Sequence, residues 1–204
     1  EQAERALEYI EGLRAENAEN AFLANLKGEV LARGGQWQAA ADSFAEAIRL
    51  QPDAAPSYVG LANSQRRLGN ADDAVVALRQ GLEAVPDNPA LLMELGSLLA
   101  SLERNQEALD IFRALATQRP DNGLAVNNYA SLLAALEPDN LEELRKAKEL
   151  LDPFQRTSNP FVLDSIGAVM LRLGDARQAQ AYLERALALE PSLPDAHFHL
   201  GLAL

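Results

Sequence analysis

Three prolines, Pro52, Pro86 and Pro120, stand 34 residues apart. A chain that copies itself at such an interval is built from small units, none of which buries enough to fold alone. Proline cannot continue a helix, so each of the three marks a helix end. The unit is plainest from Pro160 to Leu193. Leu163, Ile166, Met170 and Leu173 recur at three- and four-residue steps along a first helix, and Ala179, Leu183, Ala186 and Leu187 form a narrower stripe on a second. Gly174-Asp175 turns the chain between the two, and Glu190-Pro191 closes the unit. A small residue returns at Gly28, Ala62, Gly96, Ala130, Gly167 and Gly201, where a neighbouring helix can approach closely. Turn glycines return at Gly34-Gly35 and Gly69-Asn70, supplying the backbone freedom of a tight helix reversal.

Within one period the residues keep an order. Tyr58, Leu61-Ala62, Ala74, Leu78, Gly81 and Pro86 read as large, Leu-small, small, large, small, Pro; Leu92, Leu95-Gly96, Leu99, Ala108, Phe112 and Pro120 read much the same way. This pattern resembles the tetratricopeptide repeat (TPR), and the resemblance runs over essentially the whole chain. It implies an all-α fold, a right-handed superhelical solenoid of antiparallel helix pairs. A single array over 1–204 is expected: a half repeat at 1–20 giving a second helix, full repeats at 21–54, 55–88, 89–122, 123–159 and 160–193, and the start of a sixth at 194–204. That is twelve helices. Phrases such as VNNYASLLA and PDAHFHLGLAL also look like long bacterial TPR proteins, including lipoproteins that accompany exopolysaccharide export.

Some segments depart from the regular unit. In the opening helix, Ala6, Ile10 and Leu13 fall in the inward register. Trp37, the only Trp, follows a turn where the family places a large residue to pack two helices together. The fourth unit runs about three residues long, with Glu137-Pro138-Asp139-Asn140 in place of the short glycine turn. Asp139 or Asn140 is placed to cap a second helix from Leu141 to about Phe154, stopping at Asp152-Pro153.

Composition removes several kinds of work. There is no cysteine, so thiol catalysis, disulfides and thiolate metal sites are out. A net charge of -12 opposes nucleic acid and anionic lipid, both of which ask for a basic surface. No apolar run is long enough to span a bilayer, so this segment reads as soluble; the compartment stays open, the resemblance to bacterial arrays implying a bacterial cytoplasm or periplasm. The two histidines, His197 and His199, have no carboxylate three or four residues further on, and Gly34-Gly35 runs into Gln36-Trp37 rather than a phosphate-binding Lys-Ser. The chain is read as a non-enzyme, with no cofactor and no metal.

What remains is a binding scaffold. The resemblance places the partner groove on the concave face, lined by the first helices, and the inward registers there give Asn25, Asn63, Arg66, Arg67, Met93, Asn127, Asn128, Ser131, Asp164 and Arg172. Asparagines suit hydrogen bonding to an extended backbone, Phe22, Val59, Met93 and Phe161 suit side chains, and the arginines favour an acidic partner. Family members that hold the carboxylate tail of heat-shock chaperones carry a five-residue clamp; only Asn63 and Asn128 fit it here, which disfavours that partner. The alternative is a structural spacer or self-associating array within a larger envelope or secretion protein, meeting copies of itself end to end.

Overall fold

The computed structural model describes residues 2–17 and 19–204. Among them are twelve α-helices and no strand, divided between two compact units, 1–101 and 102–204.

The first unit holds α1 (Gln2–Glu16), α2 (Ala21–Arg33), α3 (Trp37–Leu50), α4 (Ala55–Arg67), α5 (Ala71–Ala84) and α6 (Pro89–Ser101). Short turns fold α2 back on α3 and α4 back on α5, while α2, α4 and α6 lie side by side. Gly35 and Gly69 make those turns at φ of 74° and 87°, the left-handed region that a side chain disfavours. The core is locked by Phe44, 3% exposed. A Cβ built on Gly28 of α2 would stand 2.8 Å from its ring, and one on Gly60 of α4 2.5 Å from it, so the ring fills the seam between two first helices. Leu31 and Ala40 pack around it, and α1 adds Leu7.

That last contact corrects the register expected for α1. Ile10 is buried, but Leu13 is 37% exposed. Arg14 takes the inward place instead, its side chain only 17% exposed and paired with Glu46 of α3. An apolar stripe read by periodicity passes over a charged residue whose partner lies on another helix.

The second unit holds α7 (Asn105–Gln118), α8 (Gly123–Leu136), α9 (Leu141–Leu151), α10 (Pro160–Arg172), α11 (Ala176–Leu189) and α12 (Pro194–Ala203). Here α8, α10 and α12 are the first helices lying side by side. The extra length of the fourth repeat is spread rather than confined to one loop. The turn 137–140 is only one residue longer than 34–36, and Asn140 caps α9 by accepting from the Glu143 amide. The larger change is at the far end: α9 has 11 residues where α7 has 14, and the chain continues through a 3-10 turn, Asp152–Phe154, into an irregular 155–159. This brings Phe154 against Gly123, whose Cβ would lie 2.9 Å from the ring.

A polar network ties α7, α8 and α9. The Tyr129 hydroxyl donates to Glu143 at 2.7 Å, and Arg113 donates to Glu137 at 3.0 Å and sits 3.4 Å from Glu143. The Lys146 hydrogen bond, then that of Tyr129, holds the Glu143 carboxyl below its usual range. Asn140, then Arg113, does the same for Glu137. Burial, reinforced by Glu143, pushes the Tyr129 hydroxyl up.

Two outcomes follow from this packing. Gly167→Ala puts a Cβ 2.6 Å from Cγ of fully buried Leu183, and overpacking of this kind costs about 1–3 kcal/mol in chemical denaturation. Gly201→Ala meets open space and leaves the midpoint unchanged or slightly raised. Because the folded state lowers the pKa of Glu137 and Glu143, their contribution is complete above the unfolded-state value of about 4.3 and is lost as pH falls through the lower folded-state values. Melting curves from pH 6 to 3 should therefore show a decline that the double variant Glu137→Gln, Glu143→Gln makes shallower.

Candidate partner-binding face

Because first helices lie side by side within each unit, residues one repeat apart come opposite one another, and their side chains can satisfy each other as well as a partner. In the first unit Asn25 is half-buried. Its amide donates to Glu29 at 2.8 Å and its carbonyl accepts from the Ser57 hydroxyl of α4 at 2.9 Å. Asn63 is half-buried and accepts from exposed Arg66 at 3.3 Å. Arg67 leaves that pair: its guanidinium stands 5.2 Å from the ring centroid of Trp37, which is only half-buried at the start of α3. Met93 is half-buried on α6.

The second unit repeats the theme. Asn127 accepts from the Ser165 hydroxyl of α10 at 2.9 Å, while Asn128 beside it is half-buried and Ser131 exposed. Arg172 donates from Nε to the Ala134 carbonyl at 3.0 Å, near the C-terminal end of α8. Asp164 is turned to the fold. It is 7% exposed, and His199 Nδ1 of α12 lies 2.8 Å from its carboxylate. No i+3 or i+4 step reaches this carboxylate: the partner is on another helix, 35 residues back, close to one repeat. Since a carboxylate only accepts, Nδ1 carries the proton of this bond.

Several candidate residues thus hold the helices together, and sequence reasoning missed their partners Ser57, Ser165 and His199. Spacing near one repeat was the available signal. What stays exposed is a set of apolar groups at one register: Phe22 at 70%, Leu124 at 59% and Phe161 at 57%, each six residues before the small position of its first helix. Cavities open beside them. In the first unit one of about 380 Å³ is bordered by Phe22, Asn25, Asp53, Pro56 and Asn88, and one of about 460 Å³ has the Phe44 ring for its floor, with Val59, Pro56 and Glu29 around it. In the second unit one of about 490 Å³ is bordered by Leu124, Phe154, Phe161 and Val162, with Asn127, Asn128, Thr157 and Asn159.

The Tetratricopeptide repeat family model matches residues 1–55, 59–123 and 169–204, more than half of the sequence. The chain belongs to the tetratricopeptide repeat family. It is 28% identical over 182 residues, 85% of its length, to a TPR repeat-containing protein of Pseudomonas aeruginosa. It is 28% identical over 80% of its length to Cellulose synthase operon protein C of Pseudomonas fluorescens, and 27% identical over 70% of its length to Type IV pilus assembly protein PilF of P. aeruginosa. The chain spans 29%, 13% and 56% of these three relatives. Among solved structures it is similar to YrrB, described as a TPR protein with an unusual peptide-binding site, at a TM-score of 0.74, 20% identity and coverage of 95% and 98% of the two chains. It is similar to MamA at a TM-score of 0.65 and 18% identity, covering 85% and 93%. The TPR fold of these relatives is a scaffold for protein–protein interaction, and no helix among the described residues is long and apolar enough to cross a membrane.

The asparagines now separate by role. Asn127→Ala and Ser165→Ala should each lower stability by about 1 kcal/mol, the double variant should cost less than the sum, and Asn128→Ala should be close to neutral. Urea denaturation of the four proteins checks this.

Proposed function

We propose that the chain is a non-catalytic scaffold that binds an extended segment of a partner protein along its first helices, the concave face of a TPR array. The observation that carries this is the repeat of exposed Phe22, Leu124 and Phe161 at one register, each beside a cavity with an amide at its edge. Large apolar groups recurring in register and more than half exposed are not used in packing the helices together, and such patches mark contact surfaces. The polar groups not used between helices, Asn128, Ser131 and Arg66, supply hydrogen bonds and positive charge against an overall charge of -12. The peptide-binding site named for YrrB supports the reading, on a shared fold. The names of the cellulose synthase operon and pilus assembly relatives support a setting in a bacterial envelope or secretion assembly.

A second reading has its own observation. Tyr9 of α1 is 69% exposed and Phe198 and Leu202 of α12 are 62% and 50% exposed, so each of these helices carries exposed apolar groups that suit stacking against further repeats or another copy. In that reading the array is a spacer.

Capture of partners from cells of origin separates the two. The triple variant Phe22→Ser, Asn63→Ala, Arg66→Ala should lose a captured protein that the α11 control Glu184→Ala retains, and rising salt should weaken the capture. Loss with the control and retention with the triple variant overturns the first-helix reading.

A further inference from the structure

The fourth repeat departs from the others where α9 ends early, and the departure gives the cavity beside it a lining that the first unit does not repeat. Phe154, delivered by the 3-10 turn, closes one side of the space between the first turns of α8 and α10; Leu124 and Phe161 stand at its mouth and Val162 lies within it. No charged side chain lines it. The corresponding cavity of the first unit is bordered by the Asp53 carboxylate and has Pro56 at the register of Phe161, so the two are not chemically equivalent.

The polar edge is made of side-chain amides whose commitments differ. Asn127 spends its carbonyl on Ser165, and Asn159 spends its carbonyl on the Phe161 amide as the cap of α10. Asn128 accepts from Asn127, so Asn159 and Asn128, both lining the cavity, keep their NH2 groups as hydrogen-bond donors. A cavity of about 490 Å³ lined by aromatic and aliphatic carbon accepts a bulky apolar side chain, and it rejects an ammonium or carboxylate because nothing in it replaces the lost hydration. Two amide donors at its edge match the carbonyl oxygens that flank such a side chain in an extended chain.

Resting on the first-helix reading above, we propose that this cavity is the anchor subsite of the array: it takes one uncharged bulky side chain, phenylalanine or leucine, from an extended partner peptide, whose backbone carbonyls on either side accept from Asn128 and Asn159. Leu124 and Phe161 are the specificity-determining residues. The irregular exit of α9 supplies Phe154 to the subsite, so the second unit selects a side chain while polar contacts elsewhere on the first helices are tolerant of sequence.

The test uses the whole chain, labelled with 15N, and four probes: the N-acetyl methylamides of phenylalanine, leucine, lysine and aspartate. Phenylalanine and leucine probes should produce saturable shifts in the amides of Leu124 and Phe161 and in the side-chain NH2 signals of Asn128 and Asn159. The two charged probes should bind at least about tenfold more weakly, the difference expected from about 1.4 kcal/mol of unreplaced hydration. Leu124→Lys and Phe161→Lys replace residues that are more than half exposed, so the spectrum away from the cavity should stay unchanged while the phenylalanine probe is lost. Saturable shifts only elsewhere, equal response to charged probes, or no saturable shift overturns the proposal. Shifts at these residues that change with protein concentration before any probe is added overturn it in favour of contact between copies. Capture through the first unit, tested with the Phe22, Asn63 and Arg66 variant, is independent of all these outcomes, so the subsite can fail while the first-helix reading stands.

Discussion

One aromatic ring held between two glycines sets the geometry on which the first unit depends. Phe44 rises from a second helix into the seam between α2 and α4, and the absence of side chains at Gly28 and Gly60 lets both first helices close on it. The same device appears with the roles exchanged at Gly81 of α5, whose Cβ would stand 2.9 Å from Tyr58 of α4 and 3.1 Å from Leu91 of α6, and again where Gly167 of α10 receives Leu183. Tightly packed interiors transmit such constraints, because neither ring nor backbone has room to give. Side-by-side first helices are the result, and the face they share is where polar residues meet.

On that face the fold and a prospective partner compete for the same chemistry. Asn25 with Ser57, Asn127 with Ser165 and Asp164 with His199 are each pairings across neighbouring first helices. A buried amide or carboxylate left without a partner is costly, so these positions are resolved by the fold itself. The groups that remain free are of another kind, apolar and near the helix starts, together with the few amides and cations the helices do not need. The proposed recognition on this surface therefore rests on side-chain burial first and hydrogen bonding second.

Much of the fold was legible because it is local and repeated. Proline and glycine fix where helices stop and turn, and the first helix of the fourth repeat, expected from 124 to 136, runs Gly123–Leu136. What periodicity could not show is which polar residue faces which helix. Leu13 lost its inward place to Arg14 because a carboxylate on α3 was waiting for the guanidinium. Asn25, Asn127 and Asp164 carried the right residue types at the right register for a groove, and only the neighbouring helix reveals that they are already paired. The lining of the cavity beside Phe154 was hidden for a different reason: its aromatic wall comes from an irregular turn after α9, and its neighbours Leu124 and Phe161 lie far apart in sequence. Legibility was highest where the unit is regular and fell where one repeat departs from the next.

The central claim is that partners meet this chain on its first helices, and site-specific photo-crosslinking reads this directly in cells of origin. A benzophenone amino acid placed at Val59 or Ser131 on first helices, and at Gln80 or Glu184 on the outer faces of second helices, reports which surface touches another protein. The account predicts discrete crosslinked products from Val59 and Ser131 and none from Gln80 and Glu184. Products from the second-helix positions alone would contradict it.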